Sequence, residues 1–573
     1  MLSSDANKLY PSTKVLVRDR VASRLHGKDA ELYGFSKEAK AISEQYMGWA
    51  DLASNPPLSL DKISSFAKEA HKAGLTDIVL IGQGGSTQAP MTITKYYQVN
   101  RSGLVTFNTL DLVSPVCVRE VLSQCDPEKT LVIVSSKSGS TIEPTVVLKA
   151  VREVLAEHLP RVELPRHLVA ITDPGSVLEK QAKEENWLAV FNGEPTVGGR
   201  FSALSVFGLL PAALAGIDIE EFVEHAHKAE IDCSEDSMDN PAIRLAAFLY
   251  DNYVAGRDKF CLLTPQRGRV LGLWIEQLVA ESLGKDGKGI LPNIEIDPLM
   301  LQNDHGDRSI ITYRTKADSW DESNNFEMSM AYVHSSIPCM SYRIENGCEL
   351  AEHFVMWEYA IAMCGYLMQV CPFDQPDVAA AKAATLNILK NGHSQPDIME
   401  NNLNGLEMGQ VEVYLSECMK GPETLEEALT KLIESIQPGD YFCTNAFLPF
   451  TGEGRRSALE QIRHTMAEYF GVVSCLEIGP RYLHSTGQLH KGGPNTGVFL
   501  IISAFELKDI PLLRAPASSL ASLAKSQAEG DLATLSNCGR RCVLVHLPDN
   551  SGATVRQFGA LFRKVVRKMS DRA

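Results

Sequence analysis

The chain shows a regular alternation of short apolar runs and longer amphipathic stretches that begins near residue 75. Four of the apolar runs are "TDIVLIGQGG", "KTLVIVSSKSGST", "RHLVAITDPGS" and "LAVFN". The intervening stretches "PTVVLKAVREVLAE" and "VLEKQAKEENW" have helical spacing. This alternation predicts βαβ units, and therefore a parallel sheet with helices on both faces.

The same kind of pattern recurs twice further along the chain. A second α/β unit begins near "DKFCLLTPQRGRVLGLWIEQLVAESLG" and continues through "SIITYRTK" and "SIPCMSYRI" to the long helical stretch "LAEHFVMWEYAIAMCGYLMQV". A third has the strand candidates "DYFCTNAF", "GVVSCLEI", "GVFLIIS" and "RCVLVHL". We expect an α/β fold of two doubly wound parallel-sheet domains and a C-terminal α/β segment. The predicted boundaries are 1–45 for an N-terminal lead-in or connector, 46–235 and 236–395 for the two domains, and 396–573 for the C-terminal α/β domain.

Composition narrows the classes of function. At 573 residues the chain is too long for one core, and its 44% hydrophobic and 22% charged residues are typical of a globular protein. The formal net charge of −16 argues against a general nucleic-acid or membrane-surface binder. The N-terminus "MLSSDANKLY" lacks the apolar core of a signal peptide. The run "FSALSVFGLLPAALAGI" contains proline and is short for a membrane span, so it predicts a buried helix. Together these features lead us to expect a cytoplasmic protein.

The cysteines give no sign of a metal site or a disulfide framework. There are 13 of them, an odd number, without CxxC or Cys/His ligand spacing. The closest approach to such spacing is "NCGRRC", with Cys538 and Cys542. We expect reduced thiols and no metal bound by these cysteines.

The stretch "SSKSGSTIEP" follows a predicted strand directly and is the first candidate binding loop. A strand that ends in small hydroxyl residues before a helix presents O–H and N–H donors to an anion. An ordinary strand-to-helix turn, in which serine or threonine caps the helix, is the alternative. The loop "GQGGSTQAP" lies at the end of a neighbouring strand, where glycines allow close approach to a ligand. Because ligands of such sheets bind at the carboxyl ends of the strands, the two loops should converge.

Three further stretches contribute charged or amide side chains. "PTVGGRFSALS" places Arg200 beside two glycines, where its guanidinium could stabilise an oxyanion. In "WIEQLVAESLGKDGKG", Gln277 and Glu281 share one face of a predicted helix, and apolar neighbours suit Glu281 to act as a general base. In "CPFDQPDVAAAK", two helical turns would place Gln375 and Lys382 near one face. Each stretch alone could be an ordinary surface turn or helix end.

Together these groups meet the requirement for moving a proton between neighbouring carbons of a phosphorylated aldose or ketose. A base removes the proton alpha to a carbonyl, a cation stabilises the enediolate oxygen, and the loops hold the phosphate.

The five stretches, in this order, resemble the glucose-6-phosphate isomerase family, which is built from two sugar-isomerase (SIS) domains. The resemblance covers roughly residues 75–390. It implies that Glu281 shuttles the proton between C1 and C2, that Arg200 stabilises the enediolate, and that Lys382 assists ring opening. It also implies contacts with the substrate and its phosphate from a further set of residues: Gly85, Ser86, Ser136, Lys137, Ser138, Ser140, Thr141, Gln277 and Gln375.

The ring-opening histidine is displaced from its usual place in the family, between the glutamate and the lysine. Only His305, His334 and His353 lie there, none in a matching setting. The best match is His484 in "RYLHSTGQLHKGGPNTG", which is similar to the isomerase part of bifunctional transaldolase/glucose-6-phosphate isomerases. "VRDRVASRLHGKDAELYG" is similar to the connector of those proteins, and the chain is too short to include a complete transaldolase. We therefore expect an isomerase part or a stand-alone relative.

His484 is the predicted ring-opening residue, delivered by the C-terminal segment of the same chain, and His305 is the alternative. In the ordinary family this histidine comes from the neighbouring subunit, so either a monomer or a homodimer is compatible with the sequence. The expected function is glycolytic or gluconeogenic interconversion of glucose 6-phosphate and fructose 6-phosphate. Two alternatives stay open: an isomerase of another phosphosugar such as mannose 6-phosphate, and a sensor that binds a sugar phosphate without turnover.

Overall fold

The computed structural model describes residues 8–56, 58–97, 103–295, 297–301, 303, 305–316, 330, 336–403, 406–452, 454–512 and 517–570. Within these residues fifteen strands form three sheets, one for each predicted α/β unit. The alternation of apolar runs and amphipathic stretches therefore predicted the α/β class and the number of sheets correctly.

The first sheet has five parallel strands in the order β2-β1-β3-β4-β5. Its strands are β1 (Asp77–Ile81), β2 (Thr106–Leu110), β3 (Thr130–Ser135), β4 (Leu168–Thr172) and β5 (Ala189–Asn192). The helices before and around it are α1 (Pro11–Arg18), α2 (Val21–His26), α3 (Lys37–Tyr46), α4 (Leu60–Lys72), α5 (Gly85–Tyr96), α6 (Pro115–Ser123), α7 (Ile142–Leu155), α8 (Val177–Glu184), α9 (Val206–Leu214) and α10 (Ile219–Ser234). The edge strand β2 was not predicted from the sequence, because its half-buried residues "TFNTL" contain no continuous apolar run.

The second sheet has four parallel strands in the order β7-β6-β8-β9. They are β6 (Lys259–Leu263), β7 (Leu291–Glu295), β8 (Arg308–Thr315) and β9 (Cys339–Ile344). The helices of this unit are α11 (Pro241–Val254), α12 (Arg269–Leu283), α13 (Glu349–Met368) and α14 (Val378–Asn391). The edge strand β7 was also missed, because "LPNIE" contains a proline and two polar residues.

The third sheet is mixed, in the order β10-β11-β15-β14-β12-β13. β11 (Leu406–Leu415) runs antiparallel to both β10 (Ile398–Leu403) and β15 (Arg541–Leu547). The remaining strands β12 (Tyr441–Phe447), β13 (Val473–Ile478) and β14 (Gly497–Ala504) are parallel to β15. The helices are α15 (Leu425–Glu434), α16 (Arg455–Phe470), α17 (Gly487–Gly492), α18 (Leu520–Asn537) and α19 (Gly552–Ser570). The hairpin β10–β11 was not predicted, and its first strand lies in the polar stretch "KNGHSQPDIMENNLNG".

One hydrophobic core extends from the N-terminal helices through the first two units, and its members include Leu16, Trp274 and Trp357. The predicted buried helix in "FSALSVFGLLPAALAGI" is α9, in which every residue is buried. No helix among the described residues is long and apolar enough to cross a membrane.

The third unit is attached to the other two by buried polar contacts. Arg481 donates two hydrogen bonds to Asp111 after β2, at 2.6 and 2.9 Å. Gln488 of α17 donates to the carbonyl of Gly284, just past the end of α12, at 3.0 Å, and to the carboxylate of Asp377 at 2.6 Å. These contacts stand on both sides of His484 and hold its loop against the first two units.

Candidate active site

The predicted phosphate loop joins β3 to α7. Thr141 occupies the N-cap position of α7 without a side-chain capping bond. The hydroxyls of Ser138 and Ser140 are exposed and bond to each other at 3.0 Å. Gly139 has φ of +65°, and a Cβ there would lie 2.7 Å from the backbone nitrogen of Leu178, so the turn requires glycine. Because the hydroxyls do not cap the helix, the geometry favours the anion-binding interpretation over the capping one.

Lys137 has a different environment from its neighbours in this loop. Its ammonium donates to the Asp173 carboxylate at 2.7 Å and to the carbonyls of Glu194 and Pro195 at 3.1 and 3.2 Å. The side chain therefore ties the phosphate loop to the segment that precedes Arg200. Toward an anion, Lys137 can offer its backbone N–H and part of its charge.

The glycine-rich loop after β1 touches three other parts of the site. A Cβ on Gly85 would lie 1.8 Å from the carbonyl oxygen of Gly199, so the two backbones are in direct contact. Gly84 has φ of +54°, and a Cβ there would lie 2.7 Å from Nε2 of Gln277 and 3.4 Å from Cβ of His484. Ser86 follows on the first turn of α5 and is 9% exposed. The two loops after β1 and β3 do converge, since a Cβ on Gly82 would lie 2.9 Å from the Ser135 carbonyl.

We expect Gly85→Ala to lower the melting temperature, because the added Cβ forces two rigid backbones apart. We also expect activity to fall by about a hundredfold, since a displacement of about 1 Å in an active site lowers the rate by about this factor. Gly199→Ala is the matched control, since a Cβ there meets nothing within 4 Å. Differential scanning fluorimetry and an activity assay on both variants would measure the effect. Equal melting temperatures for the two variants would contradict the close approach.

Arg200 is buried, with 4% of its surface exposed, and its guanidinium is held from several sides. It donates to the Ser282 hydroxyl at 2.8 Å, to the Gln375 side-chain oxygen at 2.9 Å and to two main-chain carbonyls, those of Pro372 and Asp374. These bonds fix the guanidinium beside the next residue of the site.

Glu281 lies on α12 and is 7% exposed. One carboxylate oxygen is 3.8 Å from Nη1 of Arg200, and the other accepts a hydrogen bond from Gln277 at 3.1 Å. The predicted sharing of one helix face by Gln277 and Glu281 is therefore confirmed. The side-chain oxygen of Gln277 is buried and has no hydrogen-bond partner in the described part of the chain. The site thus holds a carboxylate, a guanidinium and an unsatisfied amide within a few ångströms.

The turn after α13 is organised by a second buried cation, Lys285. Its ammonium donates to the carbonyl of Cys371 at 2.7 Å and to the carbonyl and carboxylate of Asp374 at 2.5 and 2.7 Å. Burial, followed by the charge of Arg200, lowers the pKa of Lys285 to about 8. The interpretation of Gln375 as a helical residue was wrong, because α14 begins at Val378 and Gln375 lies in the preceding turn, where it contacts Arg200.

His484 reaches the first two units from the third one. Its Nε2 is 3.0 Å from the Oε1 oxygen of Glu143 in the first turn of α7, and the same oxygen accepts a 2.7 Å bond from Gln527 of α18. Burial acts to raise the pKa of the Glu143 carboxyl, but the imidazole of His484 and the charge of Lys382 outweigh it, so this pKa lies below its ordinary value. A carboxylate in this position orients the imidazole and leaves its Nδ1 for a ligand.

Lys382 is exposed on α14, and no hydrogen bond or ion pair to its ammonium is found within the described ranges. It lines a cavity of about 320 Å³ together with His484, Glu143 and the phosphate-loop residues Ser140 and Thr141. This volume falls in the range of small-molecule sites.

His305, the alternative to His484, lies elsewhere. Its Nε2 is 2.9 Å from the carbonyl of Phe470, the last residue of α16. His353 is buried in the second unit, where it bonds to the Tyr313 hydroxyl and burial lowers its pKa to about 4. His334 lies outside the described residues. Of the histidines that the structure describes between Glu281 and Lys382, neither joins the cavity.

Three residues of the site were missed in the sequence: Glu143, Lys285 and Gln527. Glu143 and Lys285 lie inside two of the motifs, in "SSKSGSTIEP" and "QLVAESLGK". Glu143 could have been recognised, because a carboxylate in the first turn of an anion-binding helix is a possible partner for a cation. Gln527 had no local signal. All 13 cysteines are free thiols, and in the described part of the chain neither Cys538 nor Cys542 belongs to a group of three or more potential metal ligands.

The two parallel sheets, the hydroxyl loop after β3, and the buried cations and glutamate near the glycine-rich loop define a phosphosugar isomerase of the SIS class. Residues 60–295 match the family model for phosphoglucose isomerase. Glucose-6-phosphate isomerase from Prochlorococcus marinus (strain MIT 9215) is 30% identical over 376 residues, which cover 58% of this chain and 70% of the relative. The enzyme of the same name from Mycoplasmopsis pulmonis is 29% identical over 392 residues, covering 60% of this chain and 90% of the relative. The chain therefore belongs to the glucose-6-phosphate isomerase family of enzymes.

Two solved structures share the fold of this chain. A hypothetical protein from Thermus thermophilus is 26% identical, with a TM-score of 0.57, and the alignment covers 68% of this chain and all of that one. A glucose-6-phosphate isomerase from Chlamydia trachomatis has a TM-score of 0.52 at 18% identity, covering 65% of this chain and 86% of that one, which supports the fold.

Proposed function

We propose that this chain interconverts glucose 6-phosphate and fructose 6-phosphate through a cis-enediolate. The observation that carries the proposal is the buried carboxylate of Glu281, which lies 3.8 Å from the guanidinium of Arg200. A base that moves a proton between C1 and C2 must stand beside a cation that stabilises the negative oxygen formed in between.

In the proposed mechanism the phosphate binds at the loop Ser136–Thr141. The N–H groups at the start of α7 and the loop hydroxyls supply donors there. Lys382 on α14 lines the same cavity, and it supplies positive charge. Because the cavity lies between this loop and His484, a bound hexose phosphate would extend from the phosphate loop toward the imidazole.

Ring opening is the proposed task of His484. The bond that breaks is C1–O5 in cyclic glucose 6-phosphate and C2–O5 in cyclic fructose 6-phosphate. The protonated His484 gives its proton to O5, and the resulting neutral imidazole takes a proton from the anomeric hydroxyl. Glu143 holds Nε2 and stabilises the charged imidazolium, and Gln527 fixes the same carboxylate oxygen. Lys382 assists through its positive charge on the same side of the cavity.

Proton transfer then belongs to Glu281. In the aldose-to-ketose direction Glu281 removes the proton from C2, Arg200 stabilises the enediolate oxygen, and Glu281 returns the proton to C1. The ketose-to-aldose direction runs the same steps in reverse, from C1 to C2. Gln277 orients the carboxylate through its 3.1 Å hydrogen bond, and its unsatisfied oxygen can accept from a substrate hydroxyl. Lys285 keeps the Arg200-binding turn in place.

The primary test is a coupled assay that converts fructose 6-phosphate and detects glucose 6-phosphate. We expect turnover, with mannose 6-phosphate converted more slowly or not at all. Binding of fructose 6-phosphate without turnover would replace the isomerase proposal by the sensor, while faster turnover of mannose 6-phosphate would favour another phosphosugar isomerase.

We further propose that one chain supplies the whole site, since His484 reaches Glu143 within the same chain. The test co-expresses Glu281→Gln and His484→Ala chains with two different tags and purifies the assemblies that carry both tags. If each site is built from one chain, these assemblies contain no complete site. We expect activity no higher than the sum of the two variants. Recovery of about a quarter to a half of wild-type activity would show that His484 acts on the neighbouring subunit.

A further inference from the structure

A second group of functional side chains lies outside the substrate cavity, where α10 meets the start of α13. Glu221 and His225 are four residues apart on α10 and therefore share one face of the helix. Cys348 occupies the N-cap position of α13. One ligand atom from each of the three residues lies within 4.8 Å of the other two.

The histidine is oriented as a metal ligand is. Its Nδ1 lies 2.6 Å from the Oε1 oxygen of Glu352, one turn into α13. A carboxylate on one ring nitrogen fixes the tautomer and raises the basicity of the other nitrogen, which is the usual support for a histidine that binds a metal. Nε2 of His225 is thus the nitrogen left for a ligand.

A fourth donor stands beside the thiol. The hydroxyl of Tyr97 lies 3.1 Å from Sγ of Cys348, and the Tyr97 ring packs directly on Gly347, where a Cβ would lie 2.6 Å from the ring. A side chain at position 347 would therefore displace the ring from the thiol. The group as a whole offers sulfur, nitrogen and oxygen donors.

The electrostatic environment attracts a cation. The carboxylate of Glu221 lies within the group, and the carboxylate of Glu352 lies directly behind it on Nδ1 of His225. The charges that act on the sulfur are thus negative, and a proton or a metal ion is the natural counterion.

We propose that Glu221, His225 and Cys348 bind one divalent transition-metal ion, and that Zn²⁺ is the ion whose preferences they fit. A cysteine, a histidine and a carboxylate are common zinc ligands, and the tetrahedral fourth position would be taken by the Tyr97 oxygen or a water. As the zinc–sulfur bond forms, the thiol proton leaves to solvent. Nδ1–H of His225 stays on Glu352 while Nε2 binds the ion.

The site would act on stability rather than on chemistry. It links α10 to α13 and reaches Tyr97, directly after the end of α5. Gly85 of the substrate site is the first residue of the same twelve-residue helix, so about 18 Å separate the two ends. A metal here would pin three helices together without touching the substrate.

The experiment uses the full chain without a purification tag, stripped of metal with a chelator and titrated with Co²⁺ and Zn²⁺. We expect one equivalent to bind, with the d–d bands of tetrahedral Co²⁺ and a thiolate-to-cobalt charge-transfer band. Cys348→Ser should abolish the charge-transfer band, and Glu352→Gln should weaken binding by about 10–100-fold. Zn²⁺ should raise the melting temperature of the wild type and not that of Cys348→Ser.

Two controls separate this site from adventitious binding. His227 lies two residues beyond His225 and bonds to Ser54, and Cys538 is an exposed thiol, so His227→Gln and Cys538→Ser should bind Co²⁺ as the wild type does. The proposal is overturned by the absence of a stoichiometric charge-transfer band, or by its survival in Cys348→Ser. Activity toward sugar phosphates is not the readout, so failure here leaves the isomerase proposal untouched.

Discussion

Glu281→Gln should lower kcat by about 10²–10⁴-fold, the range that a general base contributes, while fructose 6-phosphate still binds. The amide has nearly the shape of the carboxylate and can keep the hydrogen bond to Gln277, but it cannot accept the proton from C1 of fructose 6-phosphate. The measurement is the coupled isomerase assay together with isothermal titration of the substrate.

Glu358→Gln is a matched control for this prediction. Glu358 is also a buried glutamate, 2% exposed, on α13, and burial raises its pKa far above the ordinary value. Because burial favours the uncharged form of this carboxyl, an uncharged amide of the same shape should change little, and we expect activity within about twofold of wild type. Near-wild-type activity of Glu281→Gln would remove Glu281 from the role of base.

His484→Ala should lower kcat/KM for the cyclic substrate by about 10²–10³-fold, whereas His305→Ala should leave it unchanged. The two histidines should differ because they lie in different places. His484 lines the cavity together with Lys382, whereas His305 bonds to the end of α16. Kinetic comparison of the two purified variants tests this directly, and the reverse pattern would make His305 the ring-opening residue.

A substrate that cannot form a ring separates ring opening from proton transfer. 5-Deoxyfructose 6-phosphate lacks the hydroxyl that closes the furanose, so His484→Ala should process it nearly as well as the wild type does. Glu281→Gln should remain inactive toward it. If His484→Ala is equally impaired with the acyclic substrate, His484 has a role other than ring opening.

The placement of His484 explains what the third unit contributes. Arg481 is held by Asp111 of the first unit, and Gln488 is held by Asp377 and the end of α12. The histidine between them therefore has a fixed position, and Gln527 from α18 adds a contact to its carboxylate partner. The C-terminal α/β unit thus supplies residues to the cavity in addition to its own sheet.

Local sequence patterns were sufficient for the buried inner parallel strands and for much of the candidate site. Continuous apolar runs such as "TLVIV" identify buried strands because both faces of a parallel sheet are covered. Glycine and hydroxyl residues directly after such runs mark the loops at the strand ends, and the spacing of Gln277 and Glu281 gives their shared helix face. These signals lie within a few residues of one another, so a sequence contains them in full.

The edge strands and the partnerships within the cavity were decided by tertiary structure. β2 and β7 are held by their neighbours in the sheet despite polar residues or proline, and no local pattern records that. Glu143 and His484 are 341 positions apart, and their contact depends on how the third unit docks on the first two. The sequence alone determined the class of fold and the candidate loops and charged groups of the site. Only the folded chain decided which histidine reaches them, because that contact joins separate units through many buried interactions.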